Sequence, residues 1–199
     1  MNVLTKTKPS EFRVEDKFSQ RAINVSGSVI REILKVTERP DIISFAGGLP
    51  SPKGFPKAEL LAGFTKVLTE NPETALQYGP TEGYRPLREW IANDFQKRGI
   101  NVSTDEVLIV SGSQQALDLI GKLFIDDDSK ILVESPSYLG ALQSFSTQSP
   151  RYETVETDDC GMIPQDITAE KAKDARFIYA LPNFQNPTGI TMTLERRKE

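Results

Sequence analysis

The chain has 199 residues, 24 basic against 28 acidic side chains for a formal charge of −4, and no histidine. Nothing in that balance argues for nucleic acid or an anionic membrane surface as a partner, and the missing histidine removes His-based triads and the usual zinc sites within these residues. No apolar run reaches membrane-spanning length, residues 1–15 lack the apolar segment of a signal peptide, and the lone Cys160 excludes an internal disulfide framework and suits a reducing cytoplasm.

Residues 1–24 are polar and read as an arm. Apolar residues at Val29, Ile30, Ile33, Leu34 and Val36 predict a short helix that Pro40 ends. Residues 42–45 form an extended apolar run, followed by a turn with two adjacent glycines, Gly47 and Gly48, which let a backbone approach a ligand closely. Pro56 sits at a helix start, and Leu60, Leu61, Phe64, Val67 and Leu68 give helical spacing until Asn71-Pro72 breaks it. A turn-rich loop over 78–84 leads to a second amphipathic helix, with Leu87, Trp90, Ile91 and Phe95 on one face and Gly99 as its stop.

From there short apolar strands alternate with helices. The pattern predicts strands at 107–110, 130–133, 152–155 and 176–180, and helices at 114–124, 139–147 and 167–173. Such alternation implies a parallel sheet covered on both faces. Ligands in these sheets bind beyond the carboxyl ends of strands, so the turns at 111–115, 134–138 and 181–189 are expected to face one crevice. Residues 193–199 read as the first turns of a helix with Thr193 as N-cap and Glu195 in its first turn.

Each turn has its own chemistry. Ser111-Gly-Ser-Gln-Gln115 lies between a strand and a helix start, where free N–H groups and the helix dipole suit a phosphate; a structural βα turn carries the same residues. Tyr138, in Glu134-Ser-Pro-Ser-Tyr138, serves either core packing or stacking on a flat ligand. Asn186 precedes Pro187, which keeps its backbone out of the helical region; its side-chain amide either closes a local turn or donates across the crevice. An anion cradle, an aromatic plate and a fixed amide together suit a planar phosphorylated aromatic, and pyridoxal phosphate is the obvious candidate.

Five segments carry a family resemblance: Ile43-Ser-Phe-Ala-Gly-Gly-Leu-Pro50, Leu76-Gln-Tyr-Gly-Pro-Thr-Glu-Gly83, Ser111-Gly-Ser-Gln-Gln115, Glu134-Ser-Pro-Ser-Tyr138 and Asn183-Phe-Gln-Asn-Pro-Thr-Gly189. In this order, from about residue 20 onward, the chain resembles the class I/II aminotransferases, the fold type I pyridoxal-phosphate enzymes. Within them it is most similar to the subgroup of α-aminoadipate and kynurenine aminotransferases. The resemblance implies a three-layer α/β/α fold with a mostly parallel sheet, truncated within the large domain. Residues 1–45 would be an arm and helix of the small domain, and 46–199 the first part of the large cofactor-binding domain.

By that resemblance the N–H groups and side chains of Ser113 and Gln114 hold the cofactor phosphate, Tyr138 stacks on the pyridine ring, and Asn186 donates to the phenolic oxygen and contacts substrate. Tyr78 reaches the phosphate of the neighbouring subunit, implying a homodimer with shared sites. Gly48 lies against the substrate carboxylate, and Arg31 approaches a distal carboxylate unless it is simply a solvated helix arginine. Ser135–Pro136 and Asn186–Pro187 are expected to be cis.

The family's Schiff-base lysine is expected beyond Glu199, the last residue of this sequence. So are its acidic partner for the pyridine nitrogen, the tyrosine beside the phenolic oxygen and the arginine for the α-carboxylate. No catalytic residue is therefore assigned within residues 1–199; Lys171, Lys173 and Lys198 sit in charged stretches and are not given the role. The expectation is an N-terminal half of a cytoplasmic transaminase, inactive and poorly folded alone. The complete protein would move an amino group between an amino acid (2-aminoadipate, glutamate, aromatic or branched-chain) and a 2-oxo acid such as 2-oxoglutarate. The alternatives are a carbon–sulfur lyase on the same scaffold, the effector domain of a transcription regulator, whose basic DNA-binding segment is missing here, and a non-enzymatic cofactor-binding module.

Overall fold

A computed structural model of the chain describes residues 13–24, 41–43 and 50–199. They fall into two compact units: residues 13–24 with 111–199, and 41–43 with 50–110. The expected helix at 28–36 and most of the extended run at 42–45 lie outside the described residues.

The first unit begins with a 3-10 turn, Val14–Lys17, and a short helix, Gln20–Asn24, and is built on a three-stranded sheet. Its strands are β1 (Lys130–Glu134), β2 (Arg151–Val155) and β5 (Ala175–Tyr179), in the order β2-β1-β5, all parallel. β1 is central and buried along its whole length, which is why its three middle residues, Ile131, Leu132 and Val133, form an apolar run rather than an alternation. Its side chains divide by period two. Ile131 and Val133 pack with Leu117, Ile125, Ala141 and Phe145, while Leu132 packs on the opposite face with Val155 and Met162.

The first cluster joins the sheet to two helices, Ser113–Phe124 and Leu139–Ser146. Phe145 is 1% exposed and meets Phe177 and Tyr179 edge to face, with centroids 5.5 and 5.7 Å away. Burying such a ring contributes about 1.5–3 kcal/mol. The second cluster is closed by a two-stranded antiparallel ribbon, β3 (Thr157–Asp158) and β4 (Gly161–Met162), too short to register in the sequence pattern.

The last helix, Leu194–Lys198, starts as expected: Thr193 accepts from the Arg196 N–H. The Arg196 guanidinium then forks onto both carboxylate oxygens of Asp158 and donates to the Gly161 and Met162 carbonyls. The expected helix at 167–173 is shorter, Ala169–Ala172, and follows a 3-10 turn at Pro164–Asp166.

The second unit is helical. Its main elements are Lys57–Glu70 and Arg85–Lys97, as the spacing predicted. Asn71-Pro72 ends the first helix but also begins a four-residue one, Pro72–Ala75, because proline is well suited to a first helical turn. Residues 107–110 differ from expectation: they are not paired in a sheet among the described residues. Ile109 instead donates to the Glu82 carbonyl, and the Val107 and Thr104 carbonyls accept from the buried Arg88 guanidinium, each at 2.8 Å. Apolar residues on both main helices are open, with Leu61 70% and Trp90 65% exposed. Among the described residues no helix is long and apolar enough to cross a membrane.

Candidate active site

β1 ends on a charged residue. Glu134 is 3% exposed, and its carboxylate accepts from the Leu181 N–H at 3.0 Å and from Gln185 Nε2 at 3.4 Å. Gln185 is itself buried. Its Nε2 also donates to the Pro136 carbonyl at 2.8 Å, and its Oε1 accepts from the Thr188 N–H and hydroxyl at 2.8 and 2.7 Å. One glutamine therefore uses all of its amide capacity to tie the 134–138 turn to the 181–189 turn. Sequence reasoning assigned nothing to Gln185; its local signal, a polar residue inside a turn-rich run, does not announce burial.

The first turn joins the same neighbourhood. Gln114 Nε2 donates to the Gly140 carbonyl at 3.1 Å. The helix Ser113–Phe124 opens on Gly112, whose φ of 104° and ψ of 167° suit glycine alone. Gly112 offers no side chain to cap the helix, and the first turn carries no acidic residue. The Ser113 and Gln114 N–H groups donate to no protein partner among the described residues, while Gln115 turns back to accept from the Ser111 N–H. A helix end of this kind, uncapped and without a counter-charge, fits a phosphate.

Tyr138 immediately precedes the helix Leu139–Ser146 and is half-buried against the Leu117–Phe145 cluster. Both expected cis bonds, Ser135–Pro136 and Asn186–Pro187, are present. Asn186 is exposed, beside the fully bonded Gln185, and its side-chain amide has no partner among the described residues. The Ser137 hydroxyl is buried and also without a partner among them. Burial, with Tyr138 and Glu134 nearby, raises the Tyr179 pKa and keeps that phenol protonated.

Hydrogen bonds thus gather the turns that carry Ser113, Gln114, Tyr138 and Asn186. Tyr78 belongs to the other compact unit and is 99% exposed. Gly48 and Arg31 lie outside the described residues. Lys171 is committed elsewhere: its ammonium is held by Asp166 at 2.7 Å and by the Thr154 carbonyl, and the Asp166 contact raises its pKa, away from a free amine nucleophile. Glu199, the position beyond which the Schiff-base lysine is expected, takes no part in the gathered turns. Its carboxylate is exposed, pairs with Arg196 Nε at 3.3 Å and accepts from Gln165 Nε2 at 3.3 Å. Among the described residues no group of His, Cys, Asp or Glu side chains is placed to hold a metal ion.

The family model for aminotransferase class I and II matches residues 55–199. The chain is 48% identical to a 2-aminoadipate transaminase of Thermus thermophilus over 92% of its length, and 44% identical to an aromatic-amino-acid aminotransferase of Thermococcus litoralis, also over 92%. These alignments cover 45% and 46% of the relatives, so the chain spans about half their length. Among solved structures, an α-aminoadipate aminotransferase of Thermus thermophilus, complexed with N-(5'-phosphopyridoxyl)-L-leucine, superposes with a TM-score of 0.81 at 44% identity. That match covers 94% of this chain and 46% of the other.

Proposed function

We propose that this chain, which belongs to the class I and II aminotransferases, supplies the cofactor-gripping loops of a pyridoxal-phosphate-dependent transaminase. The observation that carries the reading is the hydrogen-bonded convergence of three turns around an uncapped helix N-terminus. When bound, pyridoxal phosphate supplies the electron-accepting ring on which an amino group passes from an amino acid to a 2-oxo acid.

The chain's own residues then have distinct tasks. The Ser113 and Gln114 N–H groups, with the Ser113 hydroxyl, bind the phosphate at the positive end of their helix. The Tyr138 ring covers one face of the pyridine and keeps water from it. The Asn186 amide donates to the phenolic oxygen and favours its anion. Gly48 and Arg31 are assigned to the substrate carboxylates, Arg31 favouring acidic side chains such as that of 2-aminoadipate. The working form is a cytoplasmic homodimer in which Tyr78 reaches the neighbouring subunit's phosphate. Its nearly complete exposure within its own chain supports that role.

The test uses the full-length protein loaded with pyridoxal phosphate. With 2-oxoglutarate and a panel of 2-aminoadipate, phenylalanine and leucine, glutamate and the donor's oxo acid are expected in equal amounts, without ammonia. Release of ammonia and thiol from a sulfur-containing amino acid, with no glutamate formed, would assign a lyase instead. No turnover and no cofactor band would overturn both.

A further inference from the structure

Gly140 is the second residue of the helix Leu139–Ser146, two positions after Tyr138. Its carbonyl accepts from Gln114 Nε2, and the Tyr138 ring folds back over its Cα. A Cβ on residue 140 would sit 2.5 Å from Tyr138 Cζ, 2.6 Å from its hydroxyl oxygen and 2.7 Å from Cε1. These three nearest atoms all belong to one side chain, and none is main chain. A single glycine therefore touches both the side chain assigned to the pyridine face and the side chain of Gln114, whose N–H is assigned to the phosphate.

We infer that Gly140 is a positioning residue for cofactor binding, acting through Tyr138: the missing Cβ sets where the ring rests. The inference builds on the pyridoxal-phosphate reading above. The atoms in the way are the far end of a side chain that turns about two torsions, so a methyl group at 140 displaces the ring and leaves the main chain in place. Substitution then alters ligand binding while sparing the fold, the reverse of what a purely structural glycine shows. Gly63 is the control: it lies in the helix Lys57–Glu70, and an added Cβ there meets nothing within 4 Å.

The experiment measures binding of pyridoxamine 5'-phosphate, which forms no covalent link, to the full-length protein by equilibrium dialysis. Circular dichroism of the bound ligand and thermal melting are followed alongside. Gly140→Ala is expected to weaken binding about two- to tenfold, the worth of one aromatic contact. It should change the bound ligand's dichroism, melt like wild type, and differ from Gly63→Ala, which binds normally. In a Tyr138→Ala background Gly140→Ala should add no further loss, because the ring it displaces is gone.

Unchanged affinity and dichroism in Gly140→Ala would overturn the inference and leave the cofactor reading standing. Equal losses with and without Tyr138 would overturn it as well, and so would a variant that fails to fold, since the clash would then fall on the framework. A wild-type protein that does not bind the probe overturns both the inference and the reading beneath it.

Discussion

Gln185 donates to the Pro136 carbonyl at 2.8 Å, and this contact couples the turn carrying Asn186 to the turn carrying Tyr138. The same side chain reaches Glu134 and holds Thr188, so its loss leaves several buried groups without partners at once.

Gln185→Leu in the full-length protein is accordingly expected to lower unfolding free energy by about 1–3 kcal/mol, the cost of stranding buried polar groups. Urea denaturation measures it. A variant as stable as wild type would mean that water takes over these bonds and that the two turns are not coupled through this side chain.

Local pattern and long-range pairing contributed unequally to what could be read from the sequence. The helices Lys57–Glu70 and Arg85–Lys97 follow from spacing, because each is determined by residues within its own length. Residues 107–110 are as apolar as the middle of β1 but carry no ladder among the described residues, because pairing depends on a partner elsewhere in the chain. The turns that grip the candidate site stood out through Gly, Pro and Asn. Glu134 and Gln185, which tie two of those turns together, did not, since burial of a polar side chain is decided by what packs over it.

Gly112 separates helix entry from anion binding in a measurable way. Its backbone lies where other residues are strained, so Gly112→Ala should cost about 1–3 kcal/mol of stability. It should also narrow the preference of the full-length protein for pyridoxamine phosphate over pyridoxamine, because the N–H groups that face the phosphate move. Titrating both ligands tests this; an unchanged preference would remove the helix N-terminus from the phosphate site.

Acid should loosen the helix Leu194–Lys198 through Asp158. Hydrogen bonds from Arg196, then from the Cys160 N–H, hold its carboxyl below the ordinary carboxylate range. A lowered folded-state pKa gives stability that is complete above the unfolded value, about 3.9 for aspartate, and is lost as pH falls through the folded one. The stability gap between the full-length protein and its Asp158→Asn variant should therefore be steady near neutrality and close in acid below about pH 3.9. Melting temperatures across that range decide it; a gap that persists in strong acid would show that the pair does not act through this charge.

The strand order β2-β1-β5 has a consequence for biosynthesis. β1 leaves the ribosome first, yet both of its neighbours are encoded later, and the second is complete only at Tyr179. Until then this buried strand has at least one side unpaired by its neighbours in the sheet, since parallel strands need a crossover before they can meet. A nascent chain stalled between Val155 and Ala175 should accordingly recruit holdase chaperones more strongly than one stalled after Tyr179 has emerged.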